Sequence, residues 1–362
     1  MLLPTEPIGS IPRPPELLEA LAEHAAGRLP APALEAAYDR AIVETIRLFE
    51  ATGSPVITDG EQRKFHNFAT YAVDGLPNMA PDGFRLQFVR HHQRFPRLTA
   101  GPFRYCRHAD TFVEKAVALT DRPIKQAVIA PSALSLMYPA EDLPDYPRDR
   151  YLDAVLDEHV HEVRACLRKG AHSVQIDFTE ARLSLKLDPS GELLANFIRL
   201  NNLALERFTP DERRRIGVHT CPGGDRDSTH SAEVDYAGLL PSLFELKAGN
   251  FFIALAGERD RVGVLEMIRD TLRPWQRAFV GVVNVLDPRV DTAEEVCDRV
   301  LEAAEYIPFE QLGTTDDCGY APFCDDVSTT RDVAFAKIRA RVDGTAMAAA
   351  RLARQPVGAG RA

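Results

Sequence analysis

The sequence predicts an α/β protein built as one (β/α)8 TIM barrel with an inserted β-hairpin region after the second strand. Three observations support this fold class. Strand-like and helix-like segments alternate along most of the chain, which is typical of βαβ units around a parallel sheet. The strand-like runs number eight, as a closed barrel requires. Polar residues follow these runs at their C-terminal ends, where the active sites of such barrels lie.

Short apolar runs bounded by turn residues predict the strands, because strands buried on both faces read as nearly continuous apolar segments. The eight predicted strands are 5–10, 55–59, 124–130, 173–178, 214–220, 250–256, 278–285 and 310–315. Apolar residues repeat at helical spacing between them. The clearest of these predicted helices are 32–52, 150–170 and 292–307. Gly170 is a predicted helix C-cap, and Thr292 with Glu295 forms a predicted capping box.

We expect a single barrel domain over residues 1–350, followed by a flexible tail over 351–362 that has no apolar periodicity. The segment from about 66 to 123 departs from the strand–helix rhythm and is a predicted insertion. Within it, residues 84–107 are aromatic and basic with short alternating patches, which predicts a β-hairpin. Insertions at this end of a barrel often cover the site.

Two adjacent histidines in the predicted hairpin, His91 and His92, are interpreted as solvated rather than as metal ligands. The sequence offers better metal ligands at its strand ends.

Composition narrows the classes of partner. The chain has 362 residues, of which 45% are hydrophobic, enough for a full core. A net charge of −10, with acidic and basic residues interspersed, disfavours binding to nucleic acid or to an anionic membrane. The sequence shows no charged-then-apolar leader and no apolar run near the ~20 residues that span a bilayer. We therefore expect a cytoplasmic protein with small-molecule partners, and a homo-oligomer is compatible with this composition.

Three residues at two strand ends have the chemistry of a metal site. His219 and Cys221 are two residues apart on an extended segment, so their side chains share one face. Cys318 follows a later strand. One imidazole and two thiolates suit Zn²⁺. The alternative is a packed histidine with two buried free cysteines, since cysteine is often buried. The six cysteines are scattered without the density of a disulfide scaffold, which favours reduced thiols.

Seven strand-end motifs, taken in order, carry a family resemblance. They are IGSIPRP (8–14), TDGEQRK (58–64), VQIDFTEAR (174–182), VHTC (218–221), ALAGERD (254–260), VVNVLDPR (282–289) and TTDDCG (314–319). The ordered set resembles the catalytic C-terminal barrel of cobalamin-independent methionine synthase and its shorter relatives, from residue 5 to about 345. The resemblance implies a zinc barrel that moves a methyl or other alkyl group onto a thiol. It also implies that His219, Cys221 and Cys318 are zinc ligands.

The resemblance leaves the fourth protein ligand, a glutamate after strand 6, without a direct match. An ungapped alignment places Ala256 at the glutamate position, and Glu258 stands two residues further on. Side chains alternate along a strand, so Glu258 shares the parity of Ala256 and is the candidate ligand. The alternative role for Glu258 is a surface ion pair with Arg259 or Arg261.

The resemblance also implies a site for the amino-acid substrate. Ser10 matches a residue that helps to hold the carboxylate of homocysteine, and Glu61 and Asp177 match acids that hold its ammonium group. Two carboxylates around one cation make charge-assisted hydrogen bonds, so both acids are candidates for substrate binding and catalysis. Alternatively, Glu61 only pairs with Arg63 or Lys64.

Two departures from the family pattern concern the methyl donor. Leu286 replaces a histidine that serves as an acid in the family, and Met137 replaces a tryptophan that stacks on folate, so a folate donor is in doubt. Other candidate acids near strand ends are Asp287, Asp316, Asp317 and Tyr320. The sequence thus predicts a zinc-dependent enzyme that transfers a methyl or small alkyl group to a homocysteine-like thiol. Alternatives are an epoxide:thiol transferase of the coenzyme M type, a metal-free decarboxylase-like barrel, and a non-catalytic binding barrel.

Overall fold

The structure is a computed structural model, and it describes residues 2–64, 66–88, 92–224, 228–324 and 326–354. The helices are α1 Pro15–Ala25, α2 Ala31–Ala51, α3 Asp110–Val117, α4 Pro131–Ser135, α5 Arg148–Arg168, α6 Glu180–Leu187, α7 Glu192–Leu205, α8 Pro210–Arg213, α9 Leu240–Leu243, α10 Arg261–Thr271, α11 Ala293–Ala304 and α12 Arg331–Leu352. The strands are β1 Met79–Ala80, β2 Arg85–Gln87, β3 His92–Arg94, β4 Arg97–Leu98, β5 Lys125–Ile129, β6 Ser173–Asp177, β7 Ile216–Thr220, β8 Asn250–Ile253, β9 Arg277–Val283 and β10 Leu312–Asp316. Two short 3-10 helices cover Tyr236–Gly238 and Phe309–Gln311.

Six of the predicted barrel strands form one parallel sheet in chain order, from β5 to β10. The two remaining barrel positions differ from the prediction, since each is an extended segment with a single bridge. Thr5 bridges to β10 at Thr314, and Ile57 bridges to Ile124 at the start of β5. Prolines within both segments have no N–H to donate, which limits the ladder hydrogen bonds they can make. The Ile11 N–H donates to the carbonyl of Gly60 at 3.0 Å, and this contact joins the two segments and closes the TIM barrel.

The C-terminal helix α12 seals the junction between the first and last barrel positions. Arg341, fully buried on α12, donates to the Thr5 hydroxyl at 2.8 Å and lies 3.1 Å from a carboxylate oxygen of Asp316. A buried charge is tolerated because it is paired in this way. Helix α12 continues to Leu352, so the predicted tail begins too early, and residues 355–362 lie outside the described part of the chain.

Two predicted helix signals are confirmed. The Thr292 hydroxyl and the Glu295 carboxylate form the capping box of α11. Helix α5 ends with Lys169 as its C-cap residue. Gly170 follows directly with a φ of +100°, the left-handed conformation in which glycine often ends a helix.

The region between the second barrel position and β5 contains two short antiparallel pairs, β1 with β4 and β2 with β3. The pair of β2 and β3 falls inside the predicted hairpin. His92 lies in β3 and is exposed, as predicted, while His91 lies outside the described residues.

The interior of the barrel is filled beneath the site. Phe252 of β8 and Phe279 of β9 stack with their ring centroids 4.7 Å apart, and Ile8 packs with both. This plug leaves the carboxyl ends of the strands as the open end of the barrel. No helix in the described ranges is both long and apolar enough to cross a membrane.

Candidate functional site

One cavity at the carboxyl ends of the strands gathers most of the predicted site. It has about 560 Å³ of empty space, part of which is open to solvent. The predicted site residues that line it are Ser10, Glu61, Asp177, His219, Cys221 and Cys318. They come from five separate segments of the chain, so the closure of the barrel is what brings them together.

Strand register places the central residues. Asp177 ends β6 and is paired in register with His219 of β7, so the two side chains stand side by side. Cys221 follows the last residue of β7, and Cys318 lies two residues beyond the end of β10. His219 and Cys221 line the same cavity, as expected for two residues that are two positions apart along a strand.

The imidazole and the two thiols form a compact buried group. The ligand atoms of His219, Cys221 and Cys318 all lie within 4.8 Å of one another. His219 Nε2 is 3.4 Å from Cys318 Sγ, and the two sulfurs are 2.6 Å apart, wider than the ~2.05 Å of a disulfide bond. On the other side of the ring, His219 Nδ1 lies 3.3 Å from the carbonyl oxygen of Phe252. Because a carbonyl only accepts, Nδ1 carries the proton and Nε2 faces the sulfurs.

The protons of this group are unevenly shared. Burial opposes charge on Cys221, but its hydrogen bond with Cys318 and the adjacent His219 bring the pKa of Cys221 well below its usual value. Burial and then the charge of Cys221 raise the pKa of Cys318 well above its usual value. The pKa of His219 is raised, because the thiolate of Cys221 outweighs the opposing effect of burial. Cys221 is therefore the first thiol of the group to ionise.

This donor set fits zinc. Thiolate sulfur and imidazole nitrogen are the usual protein ligands of Zn²⁺, and a buried Cys–Cys–His group of this size matches a tetrahedral site with one position left over. The contact between His219 and the Phe252 carbonyl is the kind of hydrogen bond that orients a ligating histidine.

Two carboxylates form an acidic subsite in the same cavity. Burial and then the negative charge of Glu61 raise the pKa of Asp177 to about 6. Gln175 donates to Asp177 at 2.7 Å. Glu61 has a positive φ of 56°, and its N–H donates to the Asp59 side chain at 2.8 Å. Burial and the nearby Glu61 both disfavour the charged form of Asp177, and a bound cation would favour it.

The alternative role for Glu61 was an ion pair with Arg63 or Lys64, and the structure shows only the pair with Lys64. Lys64 lies 3.6 Å from Glu61, and both side chains are buried, but the Lys64 ammonium also donates to the Ala127 carbonyl at 2.9 Å. Arg63 instead pairs with Glu35 and Asp39. Glu61 therefore lies at the cavity wall with two cationic neighbours, Lys64 and Arg13, and the Arg13 guanidinium donates to the Glu61 carbonyl at 3.2 Å.

Ser10 lies where the first segment meets the end of β10. Its hydroxyl accepts a hydrogen bond from the Ala321 N–H at 3.3 Å, and its carbonyl accepts from Tyr320 at 2.9 Å. A Cβ atom on Gly319 would collide with the Ser10 hydroxyl, so the glycine beside Cys318 is required for this close approach.

The structure does not bring Glu258 to the metal-binding group, which corrects the prediction of a fourth ligand. The Glu258 carboxylate contacts Arg182 in two places, at 2.6 and 3.3 Å. The side chain of Arg182 is 1% exposed, so this is a buried ion pair rather than the surface pair with Arg259 or Arg261 considered above. Strand β8 ends at Ile253, and parity along a strand does not fix side chains in the loop that follows.

The other strand-end acids are already engaged. Asp317 accepts three backbone hydrogen bonds, from Leu255, Ala256 and Gly257, at 2.7–2.8 Å. It thereby fixes the loop after β8. Asp316 forms an ion pair with Arg341 and accepts a hydrogen bond from the Tyr320 hydroxyl.

Met137 and Leu286, which stand where the family has donor-site residues, pack in the apolar core. Met137 is fully buried in the core, and Leu286 packs against the same core.

Apolar side chains line the same cavity. Four of them belong to the segment predicted as an insertion: Phe68, Leu86, Phe88 and Phe95. Phe323, which follows β10, contacts the rings of Phe68 and Phe88 with centroid distances of 5.6 and 5.0 Å. The cavity thus has an acidic side, a soft-ligand side and an aromatic side.

Sequence reasoning missed His230. It lines the same cavity, is 7% exposed and lies in the loop after β7. Burial lowers the pKa of His230 to about 4, so its imidazole is neutral near pH 7. The only hint in the sequence is that His230 follows Cys221 by nine residues, at the end of the polar stretch PGGDRDSTH.

The fold and the site together define an α/β barrel that holds a soft-ligand group beside an acidic subsite at the carboxyl ends of its strands. A family model described as "Cobalamin-independent synthase, Catalytic domain" matches residues 3–343, and the chain belongs to this family.

Individual relatives agree with the family match. A 5-methyltetrahydropteroyltriglutamate–homocysteine methyltransferase of Streptomyces avermitilis is 25% identical over 321 residues, which are 88% of this chain and 39% of that protein. The chain therefore spans well under half of that relative. A methionine synthase of Saccharolobus solfataricus is 24% identical over 350 residues, which are 95% of this chain and 94% of that protein.

Among solved structures, a B12-independent methionine synthase from Shewanella sp. W3-18-1, in complex with selenomethionine, has a TM-score of 0.77 and 20% identity. The match covers 98% of this chain and 100% of that chain. At this identity the likeness establishes the shared TIM-barrel fold.

Proposed function

We propose that this protein is a methyltransferase that moves a methyl or small alkyl group onto the thiol of homocysteine or a similar amino acid, with zinc held by His219, Cys221 and Cys318. The observation that carries the proposal is the single cavity in which these three side chains face Ser10, Glu61 and Asp177. The family membership and the names of the relatives support the same reaction class.

The acidic subsite would bind the ammonium group of the acceptor. Two buried carboxylates that line one cavity bind a cation by charge-assisted hydrogen bonds. Ser10 would donate its hydroxyl proton to the carboxylate of the acceptor. An amino acid held at both ends in this way presents its side-chain sulfur toward Cys221 and Cys318, and such positioning supplies much of the rate of a two-substrate displacement. Zinc bound at the soft-ligand group would lower the pKa of a coordinated substrate thiol.

The aromatic wall would hold the donor. Phe68, Phe88 and Phe323 line the same cavity as the acids and offer apolar surface. With Leu286 and Met137 at the family's donor positions, we keep the donor as a methyl or small alkyl compound of unspecified class. Because the chain belongs to a synthase family, a transferase is favoured over the metal-free decarboxylase-like alternative.

Metal content and turnover test the proposal together. We expect about one zinc per chain in the purified protein, and near-complete loss in Cys221→Ala and Cys318→Ala. Cys297→Ala, which changes a buried cysteine of α11, is the matched control and should retain zinc. Methionine formation is then measured from homocysteine with methyl-folate, methylcobalamin and simple methyl donors.

The outcomes separate the alternatives. Full zinc in both site variants would refute the metal centre. Product formed only from an epoxide and coenzyme M would replace methyl transfer by the epoxide:thiol reaction. Zinc and thiol binding without turnover of any donor would leave a binding barrel.

A further inference from the structure

His230 is a buried histidine that the site described so far leaves without a role. Its side chain lines the cavity that holds His219, Cys221 and Cys318, and it is 7% exposed. Its Nδ1 atom is buried and makes no hydrogen bond. Leaving a buried polar atom unsatisfied costs about 1–3 kcal/mol. Such an atom in a ligand-binding cavity calls for a partner that binds there.

The backbone around His230 is fixed against the end of β7. The His230 N–H donates to the carbonyl of Pro222, the residue after Cys221, at 2.9 Å. The His230 carbonyl accepts from the Lys186 ammonium of α6 at 2.8 Å. Gly223 has φ of +128°, and a Cβ atom there would overlap the carbonyl oxygen of Ser228. The chain therefore folds back tightly after Cys221, and this return places His230 in the wall of the cavity that holds the thiols.

The ion pair of Glu258 supports the same segment. Arg182, which holds Glu258, also donates to the carbonyl of Ala232 at 3.2 Å, two residues beyond His230. Removing Glu258 from this pair would leave Arg182 as a buried charge without its partner, which is strongly unfavourable. The carboxylate is thus committed to positioning the loop and not to binding a metal.

We propose that His230 is the fourth protein ligand of the metal centre, at the position for which the sequence offered Glu258. The inference rests on the proposed zinc site. The three atoms that lie within 4.8 Å of one another do not include an atom of His230, so its imidazole has to turn toward them. That rotation breaks no hydrogen bond of Nδ1.

The resulting ligand set is two thiolates and two imidazoles, a common set for Zn²⁺. Replacing a carboxylate by a neutral imidazole makes the centre one charge unit more positive. A substrate thiol that bound as a fifth ligand would therefore ionise at lower pH than on a centre with a glutamate ligand.

The test is zinc affinity and coordination in the full chain. Zinc affinity is measured by competition with a chromophoric chelator, and zinc-edge X-ray absorption counts sulfur and nitrogen neighbours. For the unaltered protein we expect two sulfur and two nitrogen ligands. His230→Ala should lose one nitrogen and bind zinc at least ~100-fold more weakly, since loss of an outer-shell partner alone costs about 10–100-fold. His230→Cys should raise the sulfur count from two to three.

Glu258→Gln is the matched control. Glutamine keeps an oxygen that accepts from Arg182 but removes the opposite charge, so the variant should lose stability while zinc affinity and ligand count are unchanged. Loss of zinc in Glu258→Gln with no change in His230→Ala and His230→Cys would overturn the inference. Unchanged coordination in both His230 variants would overturn it as well. Absence of zinc from the unaltered protein would instead refute the metal centre itself.

Discussion

The acidic subsite should make amino-acid binding depend on pH. Burial and the negative charge of Glu61 raise the pKa of Asp177 from 3.8 to about 6. Below this pH Asp177 is protonated and no longer attracts an ammonium group. Because the raised pKa belongs to an acid whose charged form does the binding, affinity is present above about pH 6 and is lost as the pH falls through that value.

The size of the effect follows from the pKa. With a pKa of about 6, the ionised fraction of Asp177 is ~0.9 at pH 7 and ~0.1 at pH 5. The Kd of an amino acid that requires the ionised form should therefore rise about tenfold between these pH values, or ~1.4 kcal/mol. The shift from 3.8 to about 6 itself represents ~3 kcal/mol of disfavoured charge in the empty subsite, which the ammonium group would relieve.

Titration calorimetry with L-methionine, from about pH 5 to about pH 8, measures this dependence. Methionine has the ammonium and carboxylate groups of the acceptor but no thiol, so ionisation of the ligand sulfur does not enter. The des-amino analogue of methionine is the ligand control and should bind independently of pH. Asp177→Asn is the protein control and should bind methionine weakly with a flat pH profile. The reasoning fails if Asp177→Asn keeps the tenfold dependence, or if the des-amino analogue shows it too.

Two further predictions concern packing and burial. Gly319→Ala should displace the Ser10 hydroxyl, because the added Cβ occupies its place, and weaken methionine binding about tenfold, at the ~1–3 kcal/mol typical of overpacking, while zinc content stays the same. Calorimetry beside metal analysis checks this, and unchanged binding would contradict it. Burial raises the pKa of Glu162 from 4.5 to about 7, so its contribution to stability falls by ~3 kcal/mol as the pH rises between these values. Glu162→Gln keeps the oxygen that accepts from Tyr71 and Ala109 but cannot ionise. Its free energy of unfolding in urea should therefore increase relative to that of the unaltered protein as the pH rises to about 8. A difference in the free energy of unfolding that does not vary with pH would refute this.

The sequence was most informative where information is local. A buried parallel strand needs a short apolar run, and a residue directly after the strand must point into the open end of the barrel. His219 and Cys221 could therefore be placed from their own segment alone. Asp177, Ser10 and Glu61 were proposed from the family resemblance, and all three line the cavity, although the segments of Ser10 and Glu61 make single bridges instead of regular strands.

Loops limited the prediction. Glu258 lies five residues beyond the end of β8, and its partner Arg182 is 76 residues away in the sequence. Strand parity carries no information about such a contact. His230 was missed for the same reason, since its place in the cavity depends on how the chain turns back onto Pro222.

The sequence by itself determined the barrel, its order of strands and the chemistry of the strand ends, because short apolar runs and strand-end motifs are written in adjacent residues. Only the tertiary structure decided which acid lines the ligand cavity and which is committed to an ion pair with a buried arginine. Glu61 and Glu258 are both glutamates near strand ends, but Glu61 faces the cavity with Asp177, whereas Glu258 is held by Arg182. That choice depends on partners that are distant in sequence and meet only when the barrel closes.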